Sequence, residues 1–466
     1  PLWIEFLKEK YDNSIDNLNK AYDAEYSSFD EVLMPQVTNE YSRRILDYSE
    51  FNDNIFAEWH IWMRDIIHEM APDIPISAKP MPYVFNVEDI NQRYFLLQGI
   101  NAERHAEFMD VNGMDGWYTL GDLLTHKDVE KVGDGIFYMP FMYDLTTSIN
   151  PAPAANYEEH FVGDKSADYR DEIAPSIATG IWEGIIHRRN ISDIWLWDYY
   201  ERDQTFKGCL RYRPDAITEI SKTALDANRL AYEITAIQNK KPEVGLLYST
   251  TARVYDRTYL NVNYNCYRSI LLSGQKAQII TDSTLSQIKD LKVLILPNTK
   301  HIKPELLQIL KEFIGNGGKV IMVGEDCLKY DDSQSGLNDE ATVNDLKQKS
   351  TVIPIETGDR LLASPSIADL KKYIEKEIDD SGIGDVKIIN NETGEYVECF
   401  EYASAEYNDK LIVYICNFDY DNRMQNVSII VDGQKVSSSK ELRSGKDFGE
   451  NFDVEFIKPI LVEITK

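Results

Sequence analysis

Between residues 244 and 323, short apolar runs alternate with helical stretches, and this rhythm limits the possible folds more than any single residue does. Val244-Gly-Leu-Leu-Tyr-Ser249, Ala277-Gln-Ile-Ile-Thr281, Val293-Leu-Ile-Leu-Pro297 and Lys319-Val-Ile-Met-Val323 are too short for helices. The first reads as a buried strand and the other three as strands that follow it. The stretches 262–274 and 303–315 between them have helical spacing and stop at Gly274 and at Gly315-Asn-Gly-Gly318. The pattern predicts a doubly wound, flavodoxin-like α/β domain. No G-x-G-x-x-G follows its first strand, which argues against nucleotide binding, and its strand ends carry no nucleophile–His pair.

The rhythm changes on either side. Lys240-Lys-Pro-Glu243 reads as a linker closing a long amphipathic helix over 216–240. From about 385 the period becomes two, in Glu395–Tyr402, Leu411–Asn417, Asn426–Val431 and Ile460–Thr465, with turn residues at Asn422-Arg423 and Asp432-Gly433. That predicts a small antiparallel β-sandwich. Residues 329–350 are polar and acidic and are expected to form a mobile loop. The expected division is 1–240, 241–385 and 386–466.

The first part also alternates. Helical spacing runs over 1–23 (Trp3, Phe6, Leu7, Tyr11, Ile15, Leu18, Tyr22) and over about 50–71, where Ile55, Trp59, Trp62 and Ile66 share a face before Pro72 and Pro75. Strands are predicted at Ile74–Lys79, Glu107–Val111, Ala154–Val162 and Asp193–Tyr199, separated by helices over about 91–103, 120–131 and 172–189. Strand–helix alternation at this spacing means parallel βαβ units.

Composition narrows the function classes. Asp and Glu total 78 against 49 Lys and Arg, a net charge of −29, so a phosphate backbone would be repelled. The five cysteines (209, 266, 327, 399, 416) are scattered and never form C-x-x-C, which argues against zinc and against a disulfide framework. No His/Asp/Glu spacing points to a metal, and no cofactor is implied. No run of 18 apolar residues spans a membrane. The chain opens on Pro1 without a Met, and the compartment, cytoplasmic or periplasmic, stays open.

Pro153-Ala-Ala-Asn-Tyr-Glu-Glu-His160 carries the candidate chemistry. Carboxylates at a strand end, beside an aromatic-rich strand such as Asp193-Ile-Trp-Leu-Trp-Asp-Tyr-Tyr200, suit the cleavage of a sugar. The acid works at the glycosidic carbon and aromatic faces stack on the ring. Alone, Glu158 reads as a solvated surface group. Glu158 and Glu159 point opposite ways along a strand, so the two face different surroundings.

The succession of βα units, doubly wound domain and β-sandwich resembles glycoside hydrolase family 42, the β-galactosidases whose barrel precedes a trimerisation domain. It is also similar to β-mannosidase-type enzymes of the same build. Trp3-Ile-Glu-Phe-Leu-Lys-Glu-Lys-Tyr11, Phe29–Val32, Asp110–Tyr118, Pro153–Val162, Trp182-Glu183, Ile194–Trp197 and Val244–Gly324 carry the resemblance. It implies that 1–240 is the C-terminal part of a catalytic (β/α)8 TIM barrel. Glu158 is the implied nucleophile of a retaining β-glycosidase, with Glu159 as runner-up. Asn156, His160, Trp117, Tyr118, Trp197 and Glu201 are the expected substrate-binding residues.

Two departures qualify this. The family's acid/base Glu would lie upstream of Pro1, so the chain is expected to be a C-terminal portion, with on the order of 150 residues missing from a barrel of roughly 250. The Asn39-Glu40 pair is the alternative. The galactose-binding acid and His after the eighth strand are not retained, although Glu201 and Asp203 stand nearby, so another β-glycoside such as a mannoside is an open alternative. Asp110 and Asp115 read first as turn caps, and His105 and His187 as structural. Trp195 and Trp197 share one face, either core or sugar platform. A homotrimer acting on a carbohydrate, with no nucleic acid and no membrane, is expected. The competing class is an inactive carbohydrate-binding or scaffold protein.

Overall fold

The structure is a computed structural model. It describes residues 1–36, 41–80, 97, 99–116, 136–160, 173–195, 197, 200–201, 204–205, 210–355, 366–384 and 386–465.

The first part is a segment of a (β/α)8 barrel. Its helices are α1 (Leu2–Lys10), α2 (Ile15–Tyr22), α3 (Arg43–Met70), the short α4 (Ala102–His105), α5 (Tyr138–Ile149) and α6 (Ile173–Ile186). Its strands are β1 (Asn112–Met114), β2 (Ala154–His160) and β3 (Arg189–Trp195), parallel and adjacent in that order. A two-strand ladder, β4 (Tyr200–Glu201) with β5 (Gln204–Thr205), follows β3. An extended segment, 74–80, lies beyond β1 without forming a regular ladder. The N–H groups of Asp110 and Val111 donate to Ile76 O, and that of Asp115 to Pro80 O. The strand predicted at Glu107–Val111 therefore begins later, at Asn112, because residues 106–108 form a turn following α4. The last barrel strand begins at Arg189 rather than Asp193.

The predicted 1–23 helix is two helices, since Asp12 and Asn13 take positive φ between them. α3 starts earlier than expected, at the Ser42 cap, whose Oγ accepts from Ile45 N. Its Ile55, Trp59, Trp62 and Ile66 face is exposed, and its buried residues, Ile45, Phe51, Asp53 and Ala57 among them, lie in its N-terminal half on several sides. Fully buried Asp47, also on α3, accepts from Tyr11 Oη (2.6 Å), Tyr22 Oη (2.9 Å) and Arg43 Nε (2.9 Å).

The long helix over 216–240 breaks at Leu230 into α7 (Pro214–Arg229) and α8 (Ala231–Asn239). Then come β6 (Val244–Tyr248), α9 (Thr250–Tyr255), α10 (Tyr259–Leu272), β7 (Ala277–Thr281), β8 (Val293–Pro297), α11 (Glu305–Gly315), β9 (Lys319–Val323), α12 (Glu340–Gln348), β10 (Thr351–Ile353) and α13 (Ile367–Asp380). The parallel strand order β10-β9-β8-β6-β7 is the flavodoxin-like arrangement. Alternate residues feed two cores: Leu246 and Ile295 face α10 and the barrel side, while Leu247, Leu294 and Leu296 face α11. The expected mobile loop at 329–350 is instead structured. It holds α12, capped by Asp339, and Asp332 pairs with Arg43 of α3. Its polar residues serve as caps and ion-pair partners.

The sandwich packs one sheet, β11 (Val386–Asn390), β14 (Met424–Val431) and β15 (Gln434–Lys435), with β18 (Phe452–Glu455) on β14, against a second. The second sheet has the order β12 (Phe400–Tyr407), β13 (Lys410–Asn417), β19 (Ile460–Thr465), β16 (Ser439–Glu441), β17 (Asp447–Phe448). Ile388, Val413, Val427 and Val462 point inward from the two sheets and share the core between them. α10 is buried nearly all round, as a helix must be when covered on every side, here by the β6 sheet, α13 and β12.

Candidate active site

β2 turns two adjacent carboxylates to opposite faces. Glu159 is buried, pairs with Arg189 of β3 and accepts from Ser192 Oγ at 2.5 Å. Arg189 also donates to Ile181 O of α6, so Glu159 lies toward the helix layer. Burial raises its pKa, against the opposing pull of Arg189 and Ser192.

Glu158 occupies the other face, half-buried. Its Oε1 accepts from Lys79 Nζ, and His160 Nε2 stands 3.8 Å from its Oε2. Lys79 also reaches Asp115 Oδ2 at 3.5 Å. Burial works against the lysine's charge, but the hydrogen bond from Lys79 to Glu158 and the charges of Asp115 and Glu158 outweigh it and raise its pKa. Asp115 is raised too, by burial first and then by Glu158.

The strand beneath is anchored by Asn156. Asn156 is buried, its Oδ1 accepts from Gly116 N (2.9 Å) and Glu158 N (3.2 Å), and its Nδ2 donates to Gly116 O and Tyr143 Oη. It is thus a strut under β1 and β2, away from the surface. His160 stacks on Trp195 with ring centroids 6.0 Å apart and planes at 23°. Gly113 lets segment 74–80 pass close, since a Cβ there would overlap Ala78 O.

The expected set is therefore only partly assembled. Glu158, Asn156 and His160 come together. Trp197 is 62% exposed past the end of β3, and its carbonyl accepts from Arg211 N. Glu201 belongs to the β4–β5 ladder, and its side chain lies outside what is described. Trp117, Tyr118, Asp203, Asn39 and Glu40 lie outside the described residues. Lys79 was not anticipated, although its place at the end of a predicted strand is a usable signal. Asp115, read first from sequence as a turn cap, and Trp195, open there between core and sugar platform, join the site.

Comparison with known proteins bears on this arrangement. Residues 2–159 match the glycoside hydrolase family 42 model, described as beta-galactosidase. The chain is 22% identical over 349 residues to the beta-galactosidase Pbg of Clostridium perfringens, covering 68% of this chain and 47% of that protein. Among solved structures it is similar to an exo-carrageenase of family 42 from Bacteroides ovatus, with TM-score 0.78 and 19% identity over 99% of this chain and 62% of that one. It is also similar to the beta-galactosidase of Bacillus circulans sp. alkalophilus, with TM-score 0.73 and 14% identity over 99% of this chain and 76% of that one. The chain spans about half the length of the curated relative it matches.

Proposed function

We propose that this chain, which carries the glycoside hydrolase family 42 pattern in residues 2–159 and the fold of that family's solved structures throughout, acts as a retaining β-glycosidase with Glu158 as nucleophile. The observation that carries the reading is the split between the two glutamates. Glu159 is held in a buried ion pair, whereas Glu158 presents its carboxylate at the strand end, oriented by Lys79. In the double displacement its oxygen bonds to the anomeric carbon as the glycosidic bond breaks, and water then releases the sugar with retained configuration. The reaction also needs a protonated carboxyl about 5–5.5 Å away. That part is assigned to no described residue; Asp115 serves to hold Lys79. Trp195, partly exposed beside His160, offers a ring face to the sugar.

A terminal β-galactoside is the substrate the matched family favours. Assay of aryl β-galactosides, β-mannosides and β-glucosides with the parent and with Glu158→Gln tests this. The variant should lose about three orders of magnitude or more in kcat while keeping its fold. Unchanged activity in the variant would refute the assignment, and a parent inactive on every aryl glycoside would favour a binding protein.

One observation favours a second reading of the substrate. The Lys79 ammonium stands beside Glu158 with 39% of its side chain exposed, and a neutral sugar has little need of a cation there. A β-glycoside bearing an anionic group would use it. Lys79→Met should then raise KM for a sulfated galactoside more than for a neutral one. Assembly as a homotrimer through the doubly wound part is proposed with the family reading, and a monomer at micromolar concentration in sedimentation would contradict it.

A further inference from the structure

A second cluster of ionisable groups lies away from Glu158, where α5, α6, α10 and the sandwich meet. His187, just past the end of α6, sets Nδ1 2.9 Å from Asp144 Oδ2 of α5, and that oxygen also accepts from Tyr267 Oη of α10 at 2.8 Å. His187 Nε2 lies 2.8 Å from Glu401 Oε1 of β12. Glu183, one helical turn before His187, accepts from Tyr414 Oη of β13 at 2.5 Å through Oε1. Glu183 and Glu401 are 3% and 2% exposed, and the Oε2 of each is buried with no hydrogen-bond donor among the described residues. One donor atom each from Glu183, His187 and Glu401 fall within 4.8 Å of one another.

Three carboxylates thus surround one imidazole, so negative charge exceeds positive in either state of the ring. The nearby cations are engaged elsewhere. Lys276 Nζ donates to the carbonyls of Ile237, Gln238 and Lys240, and Arg443 binds Asp226 and Pro459 O. Protonating His187 satisfies Glu401 Oε1 but leaves both Oε2 atoms facing an interior that offers them no donor among the described residues, which is costly.

We propose that Glu183, His187 and Glu401 form a structural site for a divalent cation of the zinc type. The donor set of one imidazole and two carboxylates suits zinc. Asp144 fixes His187 with the proton on Nδ1 and the Nε2 lone pair aimed at the ion, as outer carboxylates do for metal-bound histidines. Tyr414 orients Glu183 through Oε1, and Tyr267 holds the Asp144 oxygen that faces His187. The ion would tie α6 to the sandwich strand β12. Glu183 and His187 stand one turn apart, but Glu401 follows His187 by 214 residues, which is why spacing alone does not reveal the site.

The test uses the whole chain, equilibrated with zinc chloride at neutral pH, desalted and measured by elemental mass spectrometry. About one zinc per chain is expected, with a thermal midpoint that falls on chelation and recovers with zinc. Glu183→Gln separates the ion from the alternative, a proton shared between the two glutamates. The amide can donate to Glu401 as a shared proton would, yet it weakens a metal site, so the variant should lose zinc and its response to it. A parent free of zinc, with a midpoint indifferent to both chelator and zinc, would overturn the proposal. So would a Glu183→Gln protein that retains zinc and its full stabilisation. If the variant does not fold, the parent's zinc content and chelator response decide.

Discussion

Glu158 and Glu159 are neighbours on β2 that occupy opposite faces, and their partners differ accordingly: Lys79 for the first, Arg189 for the second. The Glu159–Arg189 pair is out of solvent, so removing one partner leaves a buried charge uncompensated. Glu159→Gln should cost about 3–5 kcal/mol in chemical denaturation, because Arg189 then lacks its counter-ion. Glu158→Gln should leave the denaturation midpoint nearly unchanged. The sequence made the alternation legible, since neighbours in a strand must diverge, but not which face was covered. Arg189 is the deciding residue. It lies 30 residues from Glu159 and announces its role by no motif. Lys79 is harder still to read: it meets Glu158 across 79 residues and only because Gly113 allows its segment to approach.

At the scale of elements, close approach explains where substitutions should hurt. A Cβ at Gly113 would meet Ala78 O and the Tyr157 ring, forcing segment 74–80 away and moving Lys79 with it. Gly113→Ala should therefore lower kcat/KM on the order of a hundredfold, as a displacement near 1 Å does, with a smaller loss of stability. Gly274 follows α10 at φ +72° with its face against the Tyr402 ring. Gly274→Ala should cost more than about 1 kcal/mol, since the left-handed backbone and the ring contact both oppose a side chain; urea denaturation measures it. Four strands of the doubly wound part were legible because short, largely apolar runs bounded by helices admit little else, whereas the three-residue β10 was too short to register. α5 was not. Phe141, Met142, Tyr143 and Leu145 are buried together with Asp144, Thr146 and Thr147, so no polar face marks a helical period. Pro140 in its first turn also masks it.

For the whole molecule, the order of barrel segment, doubly wound sheet and sandwich was readable from changes of period, while the contacts that join them were not. These are polar and distant in sequence: Asp47 and Arg43 with Asp332, Thr179 with Ile457 O, and the His187 cluster. Another buried polar group, Asp53 of α3, makes global stability depend on pH. Burial raises its pKa to about 6 despite the Asn101 hydrogen bond and Arg253. An unfolded aspartate gives up its proton near pH ~3.9, so between there and pH 6 the native state holds a proton the unfolded chain has lost. Stability from this group is full below that window and declines as pH rises through it, by up to about 3 kcal/mol. Asp53→Asn should accordingly raise the thermal midpoint at about pH 7–8 and change little at about pH 4. The account as a whole stands on the carboxylate at the end of β2. Incubating the protein with an activated 2-deoxy-2-fluoro-β-galactoside and sequencing the labelled peptide by mass spectrometry tests it most directly. A covalent sugar on Glu158 is the predicted result; a sugar on Glu159 or on another carboxylate would contradict it.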